Sequence, residues 1–309
     1  MERVLITGIS GKNGRYLLSE MEKNKEKDGL DKIHFKAFLR EGSDCSYLDK
    51  STLNIERYYG SIDTKEEAGD FVAGGYDTLL HIAGIQRSVQ IVSAALEAGV
   101  KRFILVHTTG IYSKYKEAGE GYRQIDAEVK ALCENAGATL TILRPTMIYG
   151  SLNDGNMIVF IKMVDKLRLF PVISGAKYEL QPVWCADLGK AFYDVLMNSD
   201  KTDNKEYDLS GGKPILLIDI FKEIASQLGV KNTFISCPYP LAYFGAVCVY
   251  GLTLGRIDFR EKVQRMVEPR AYSHEKAAND FGYSPLEFKD GIKEEIAMYK
   301  ESKGKNNGK

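Results

Sequence analysis

The sequence predicts an α/β fold: a doubly wound parallel sheet with a smaller C-terminal α/β unit. Three observations carry that reading. Strand-like runs alternate with helical ones through about residue 150, the pattern of a parallel sheet covered by helices. The first strand, Val4-Leu5-Ile6, turns on Gly8, Gly11 and Gly14 straight into the amphipathic run Arg15-Tyr16-Leu17-Leu18. Beyond Gly150 the regularity loosens into helices with short strands.

The elements follow in order. After the first helix, the charged stretch Glu22 to Lys32 reads as a solvated connection. His34 to Leu39 is the second strand, Ile55 to Tyr59 a short third, and Thr78 to Ala83 the fourth, leading into a helix from Val89 to Ala98. Phe103 to Val106 is the fifth strand, followed by a helix from about Tyr122 to Asn135, and Thr141 to Leu143 is the sixth. This gives a first domain over 1–150 and a mainly substrate-binding domain over 151–300, some segments of which return to the first. The polar, aperiodic tail over 301–309 is expected to be disordered.

Residues 232–255 carry no Asp, Glu, Lys or Arg. A spanning helix needs roughly 20 predominantly apolar residues, and Pro238, Pro240 and three glycines interrupt this run. A partly buried segment of the second domain is expected, with no transmembrane span. A membrane-surface or partner contact through 238–255 is the alternative.

Composition narrows the function. Lys and Arg number 42, matched by 42 Asp and Glu, so there is no basic footprint for nucleic acid. The five cysteines are scattered without CxxC pairs and read as reduced thiols of a cytoplasmic protein. Neither they nor the four histidines show metal-ligand spacing. With the first strand starting this early, no signal peptide is expected.

A buried strand that turns on glycines and opens a helix can hold a pyrophosphate. Gly8 allows the tight turn, Gly11 lets main-chain N–H groups reach the phosphates, and Gly14 lets the helix pack on the strand. The helix N-terminus adds partial positive charge, and Ser10, Lys12 and Asn13 complete the loop. The spacing is TGxxGxxG rather than GxGxxG. The end of the second strand meets the adenosine ribose, where an acid suits a free 2′-hydroxyl and an arginine a 2′-phosphate. Arg40 stands there, with Ser43 as a second donor, so NADP is expected and NAD is the alternative. The plain structural reading of Arg40 is a surface arginine paired with Glu41. Ser61 and Ile62 would flank the adenine, and Ala83 and Gly84 would let the cofactor backbone approach.

Several motifs now converge. Thr7-Gly8-x-x-Gly11-x-x-Gly14, His81-Ile82-Ala83-Gly84, Arg144-Pro145-Thr146-Met147-Ile148-Tyr149-Gly150, Gln181-Pro182-Val183-Trp184-Cys185-Ala186-Asp187 and Phe281-Gly282-Tyr283-Ser284-Pro285 span the chain. In this order they resemble the extended short-chain dehydrogenase/reductases, the NAD-dependent epimerase/dehydratases, and also the atypical NmrA-like NAD(P)H-binding proteins. The resemblance implies a Rossmann-type fold and a nucleotide-sugar substrate. It also implies that Pro145 and Met147 lie beside the nicotinamide, and that Asn153, Asn156 and Met157 line the sugar-nucleotide side. Asp187 would start a helix at the domain junction, as a helix cap or a substrate contact. A homodimer is the assembly in view.

The family's chemistry uses a Ser/Thr after strand five, a Tyr on the next helix, and a Lys one turn beyond it that lowers the phenol pKa. Thr108 takes the first position and Tyr122 the second, but four residues on stands Asp126, giving YxxxD. Residues i and i+4 share a helix face, so Asp126 is expected near the phenol and the ribose. There a carboxylate raises the phenol pKa instead of lowering it. Arg123, Lys130, Lys114 and Lys116 are the cations within reach. A literal YxxxK from Tyr112 to Lys116 starts too close to Thr108 and reads as a decoy, and His107 reads as a packed strand-end residue. Two functions follow: an NADP-preferring oxidoreductase or epimerase acting on a nucleotide sugar, or a non-catalytic NAD(P)-binding redox sensor or assembly factor.

Overall fold

In the computed structural model, which describes residues 3–115 and 119–307, six strands fall where the sequence predicts them. They are β1 (Arg3–Thr7), β2 (His34–Leu39), β3 (Ile55–Tyr59), β4 (Thr78–His81), β5 (Arg102–Val106) and β6 (Thr139–Pro145). Short strands follow: β7 (Ile148–Tyr149), β8 (Leu169–Ile173), β9 (Glu179–Leu180) and β10 (Val183–Trp184). Then come β11 (Glu206–Leu209), β12 (Ile215–Leu216) and β13 (Thr233–Cys237).

Seven strands form one parallel sheet in the order β11-β6-β5-β4-β1-β2-β3. The order reverses between β1 and β4, and connections leave in opposite directions there. A crevice must therefore open at their C-terminal ends. β11 closes the sheet from far along the chain, pairing Tyr207 with Leu143.

Helices α1 (Lys12–Lys23), α2 (Lys65–Val72), α3 (Ser88–Glu97) and α4 (Gly119–Asn135) connect the first six strands. The sequence reading omits α2, although Thr64 and Glu67 form a reciprocal capping box at its start. Beyond β7 lie α5 (Met157–Lys166), α6 (Cys185–Met197), α7 (Ser199–Thr202) and α8 (Leu217–Leu228). The last helices are α9 (Tyr239–Leu252), α10 (Arg260–Met266), α11 (Glu275–Phe281) and α12 (Phe288–Asn307). α6 packs along α1; a Cβ at Gly189 would stand 2.7 Å from the Leu17 nitrogen, so only glycine permits the approach. One apolar layer lies between the sheet and α1 and α6, a second under α2, α3 and α4, and a third joins α5, α8 and α12.

Two expectations are corrected. α12 carries the tail as helix to Asn307, where disorder was expected from residue 301. Ile292, Ile296 and Tyr299 anchor it in the third layer, and Lys303 pairs with Asp165 at 2.6 Å; extending an anchored helix costs little. Residues 232–255 form β13 and α9, but α9 buries only Ala246. The third layer is filled by other helices, and α9 rides outside it. No helix among the described residues is long and apolar enough to cross a membrane.

Candidate functional site

A cleft of about 1100 Å³ opens where the strand order reverses. The Thr7 hydroxyl stitches its floor together: it accepts the Ile82 and Ala83 N–H groups and hydrogen-bonds His81 Nδ1 at 2.8 Å. Gly8 has φ +78°, and a Cβ on it would stand 2.9 Å from the Ala83 nitrogen. A Cβ on Gly14 would overlap the Gly8 carbonyl. The loop closes as the Gly11 N–H donates to that carbonyl at 3.1 Å. No side chain caps α1, so its first amides stay available to an anion. The phosphates of a dinucleotide fit this cradle, because the glycines leave room and open donors point to where the charge would lie.

The loop residues Gly8 and Ser10 to Gly14 line the cleft, as do Arg40, Ile62, Ala83, Gly84 and Met147. Arg40 is exposed, and its side chain has no hydrogen-bond or ion-pair partner among the described residues, so the pairing with Glu41 is not formed. Thr108, Asn153 and Asn156 also line the cleft. Three expected contacts do not. The Ser61 hydroxyl donates to Glu67 at 2.8 Å and serves the α2 terminus. The Pro145 carbonyl accepts from the Thr109 hydroxyl at 3.2 Å. Met157 is fully buried in the third layer.

The largest correction concerns Asp126. It accepts from His107 Nδ1 at 2.8 Å, from Arg144 Nη2 at 2.8 Å and from Lys130 Nζ at 3.0 Å. Glu206 of β11 completes the network, 2.7 Å from Arg144 and 2.6 Å from Lys130. Burial raises the Asp126 pKa, but the His107 hydrogen bond and the charges of Arg144 and Lys130 outweigh it and hold the carboxyl far below its usual range. The carboxylate therefore clamps α4 onto the sheet and lies outside the cleft lining, away from its expected place beside the ribose. Tyr122 is also outside the lining; its hydroxyl accepts from Gln86 Nε2 at 3.4 Å.

Two of the other cations, Arg123 and Lys130, are engaged elsewhere. Arg123 holds Glu120 and the Ile111 carbonyl, and Lys130 belongs to the Asp126 network. Of the literal YxxxK, the Tyr112 hydroxyl donates to Asp208, while Lys116 lies outside the described residues. Asp187 sits in the first turn of α6, where it accepts the Leu286 N–H at 3.0 Å; burial pushes its pKa up to about 6.

The opposite wall holds residues that the sequence reading missed. Arg265, Arg270 and Tyr272 come from the segment after α9 and face the cleft. The Arg270 side chain is half-buried, its Nε has no partner among the described residues, and desolvation lowers its pKa to about 10, with Arg265 adding repulsion. Burial also raises the Tyr272 phenol pKa. No periodicity marks these residues, so only the fold reveals them. Below the cleft, fully buried Glu295 on α12 accepts the Gly150 N–H at 2.7 Å. Burial and the Asp154 charge push its pKa up to about 9.

Similarity to known proteins bears on the same cleft. Over 250 residues the chain is 20% identical to the 2-alkyl-3-oxoalkanoate reductase of Stenotrophomonas maltophilia (strain K279a), covering 71% of this chain and 74% of that one. Its fold matches that of the Thermotoga maritima UDP-glucose 4-epimerase solved with UDP-glucose (TM-score 0.71, 16% identity, 97% and 99% covered). It also matches the Citrobacter sp. triphenylmethane reductase complexed with NADP(H) (TM-score 0.67, 17% identity, 94% and 99% covered). The family model described as NAD(P)H-binding matches residues 8–164, the stretch that builds the cradle and one wall of the cleft. The chain belongs to the NAD(P)H-binding family.

Proposed function

We propose that this chain is an NADPH-preferring reductase of a carbonyl substrate that carries an anionic group, with a keto form of a nucleotide sugar as the leading class. One observation carries the reading: the Arg270 guanidinium lines the cleft, half-buried and without an acidic partner at hydrogen-bond distance among the described residues. A half-buried cation without a partner favours a site that something anionic fills, and Arg265 beside it adds to the attraction. Arg40, unpaired at the opposite end of the cleft, suits a 2′-phosphate. A bound reduced nicotinamide supplies hydride.

The cleft's own groups fit reduction better than oxidation. Removing a hydroxyl proton needs a base, yet burial raises the phenol pKa of both cleft tyrosines, Tyr149 and Tyr272. Reduction needs only a donor to the developing alkoxide. In this reading the Thr108 hydroxyl and the neutral Tyr272 phenol orient the carbonyl and donate to it. Asn153 and Asn156 face the substrate's polar groups. Similarity to an oxoalkanoate reductase and a triphenylmethane reductase supports this direction, and similarity to the epimerase supports a nucleotide-sugar substrate.

A non-catalytic NAD(P)H sensor or assembly factor is the second reading, favoured by Tyr122 and Asp126 lying off the cleft. NADPH oxidation with keto-sugar nucleotides and oxo acids separates the two. Arg270→Leu should raise KM for anionic substrates, and Thr108→Val should lower kcat by about 100-fold. NADPH binding without turnover of any such carbonyl would leave the sensor reading standing.

A further inference from the structure

The face of α9 is a large apolar surface that the cleft does not use. Leu241 is 62% exposed, Phe244 64% and Leu252 86%, and their spacing puts them on one side of the helix. Just past the helix, Leu254 is 89% exposed, and Ile257 and Phe259 extend the patch. Leu254 has φ 51°, a left-handed conformation that strains a leucine. Backbone hydrogen bonds from Leu254 and Gly255 close the helix end, but with nearly all of its surface free the leucine side chain gains no packing within the chain.

Charge flanks the patch and does not enter it. Residues 232–255 hold no Asp, Glu, Lys or Arg, whereas Lys231, Arg256, Arg260, Lys262 and Arg265 border it against only Asp258 and Glu261. Asp258 is taken by Arg260 and Glu261 by Arg265. Arg256 and Lys262 have no acidic partner among the described residues.

We infer that α9 and the Leu252–Phe259 tip dock on an anionic lipid surface, lying in the interface without crossing it. At 14 residues the helix is roughly 21 Å long, short of a bilayer's hydrocarbon core of about 30 Å. Side chains that project almost fully free have no walls around them to form a protein socket, but they insert readily among acyl chains. The bordering cations meet acidic headgroups.

Sedimentation with phosphatidylcholine vesicles, with and without phosphatidylglycerol, tests the inference on the full chain. Binding should be strong to the mixed vesicles, weak to the neutral ones and diminished by salt. The exposed-site double variant Leu252→Glu/Leu254→Glu should keep its circular dichroism and NADPH affinity while losing vesicle affinity at least tenfold. Arg256→Ala/Lys262→Ala should lose only the preference for acidic lipid. Wild-type protein that ignores both vesicles would overturn the inference, as would a double variant that binds like wild type. Dimerisation that the double variant abolishes, without vesicle binding, would also overturn it by assigning the patch to a second copy.

Discussion

Arg144 on β6 and Asp126 on α4 face each other across the packed interior, with Nη2 2.8 Å from Oδ2 and both side chains nearly inaccessible to solvent. Their pairing turns the position that most departs from the family's lysine into a structural clamp. Sequence spacing places Asp126 on the same face as Tyr122, yet a helix face is broad, and the cations of the sheet claimed the carboxylate first.

Removing that charge leaves Arg144 with only Glu206 and His107 with no carboxylate in a dry environment. Asp126→Ala should destabilise the fold by about 3–5 kcal/mol, the cost typical of breaking a buried pair. Asp126→Lys should be worse, since it adds a cation beside Arg144 and Lys130, and should not create activity. Urea denaturation monitored by circular dichroism checks both. A stable Asp126→Lys protein with new turnover would show that the network is dispensable.

Gly14→Ala places a methyl group on the Gly8 carbonyl, so α1 must shift away from the loop. Affinity for NADPH should drop by at least about tenfold, with a stability loss of roughly 1 kcal/mol or more. Gly121→Ala, where a methyl group meets open space, is the matched control and should leave affinity alone. Nicotinamide fluorescence titration reads both.

Arg40→Ala should weaken NADPH about 10- to 100-fold while leaving NADH almost untouched, as expected for one lost charge-assisted contact to phosphate. Equal weakening of both nucleotides would place Arg40 elsewhere than at the 2′ position.

Glu295 gives the pH test. Burial raises its folded pKa to about 9, above the ordinary value near 4.3. Proton uptake therefore favours the folded state: this contribution is complete below about pH 4 and is lost as pH rises toward 9. Glu295→Gln keeps an acceptor for the Gly150 N–H and removes the titration. The variant should gain stability relative to wild type as pH rises from about 5 to 9, read from Tm at each pH. A constant difference would mean that the carboxyl titrates normally.

The sheet was legible because strand registers depend on short apolar runs, and the glycine loop because its geometry admits few residues. Arg265, Arg270 and Tyr272 were not, since they reach the cleft from the far end of the chain and no local pattern announces them. α9 misled in the opposite sense: an uncharged run reads as interior, but burial depends on which other helices fill the layer, and α5, α8 and α12 had already done so. Asp126 failed for a third reason, because spacing fixes a face and not a partner.

The pairing of β11 with β6 also sets an order of assembly. As the chain leaves the ribosome, β6 must wait for some sixty further residues before its outer edge is covered. Until then a long apolar strand is open to whatever other polypeptide drifts past. A fragment ending at residue 150 keeps the whole phosphate cradle but never receives that cover, and it should clump where the full-length chain stays dispersed.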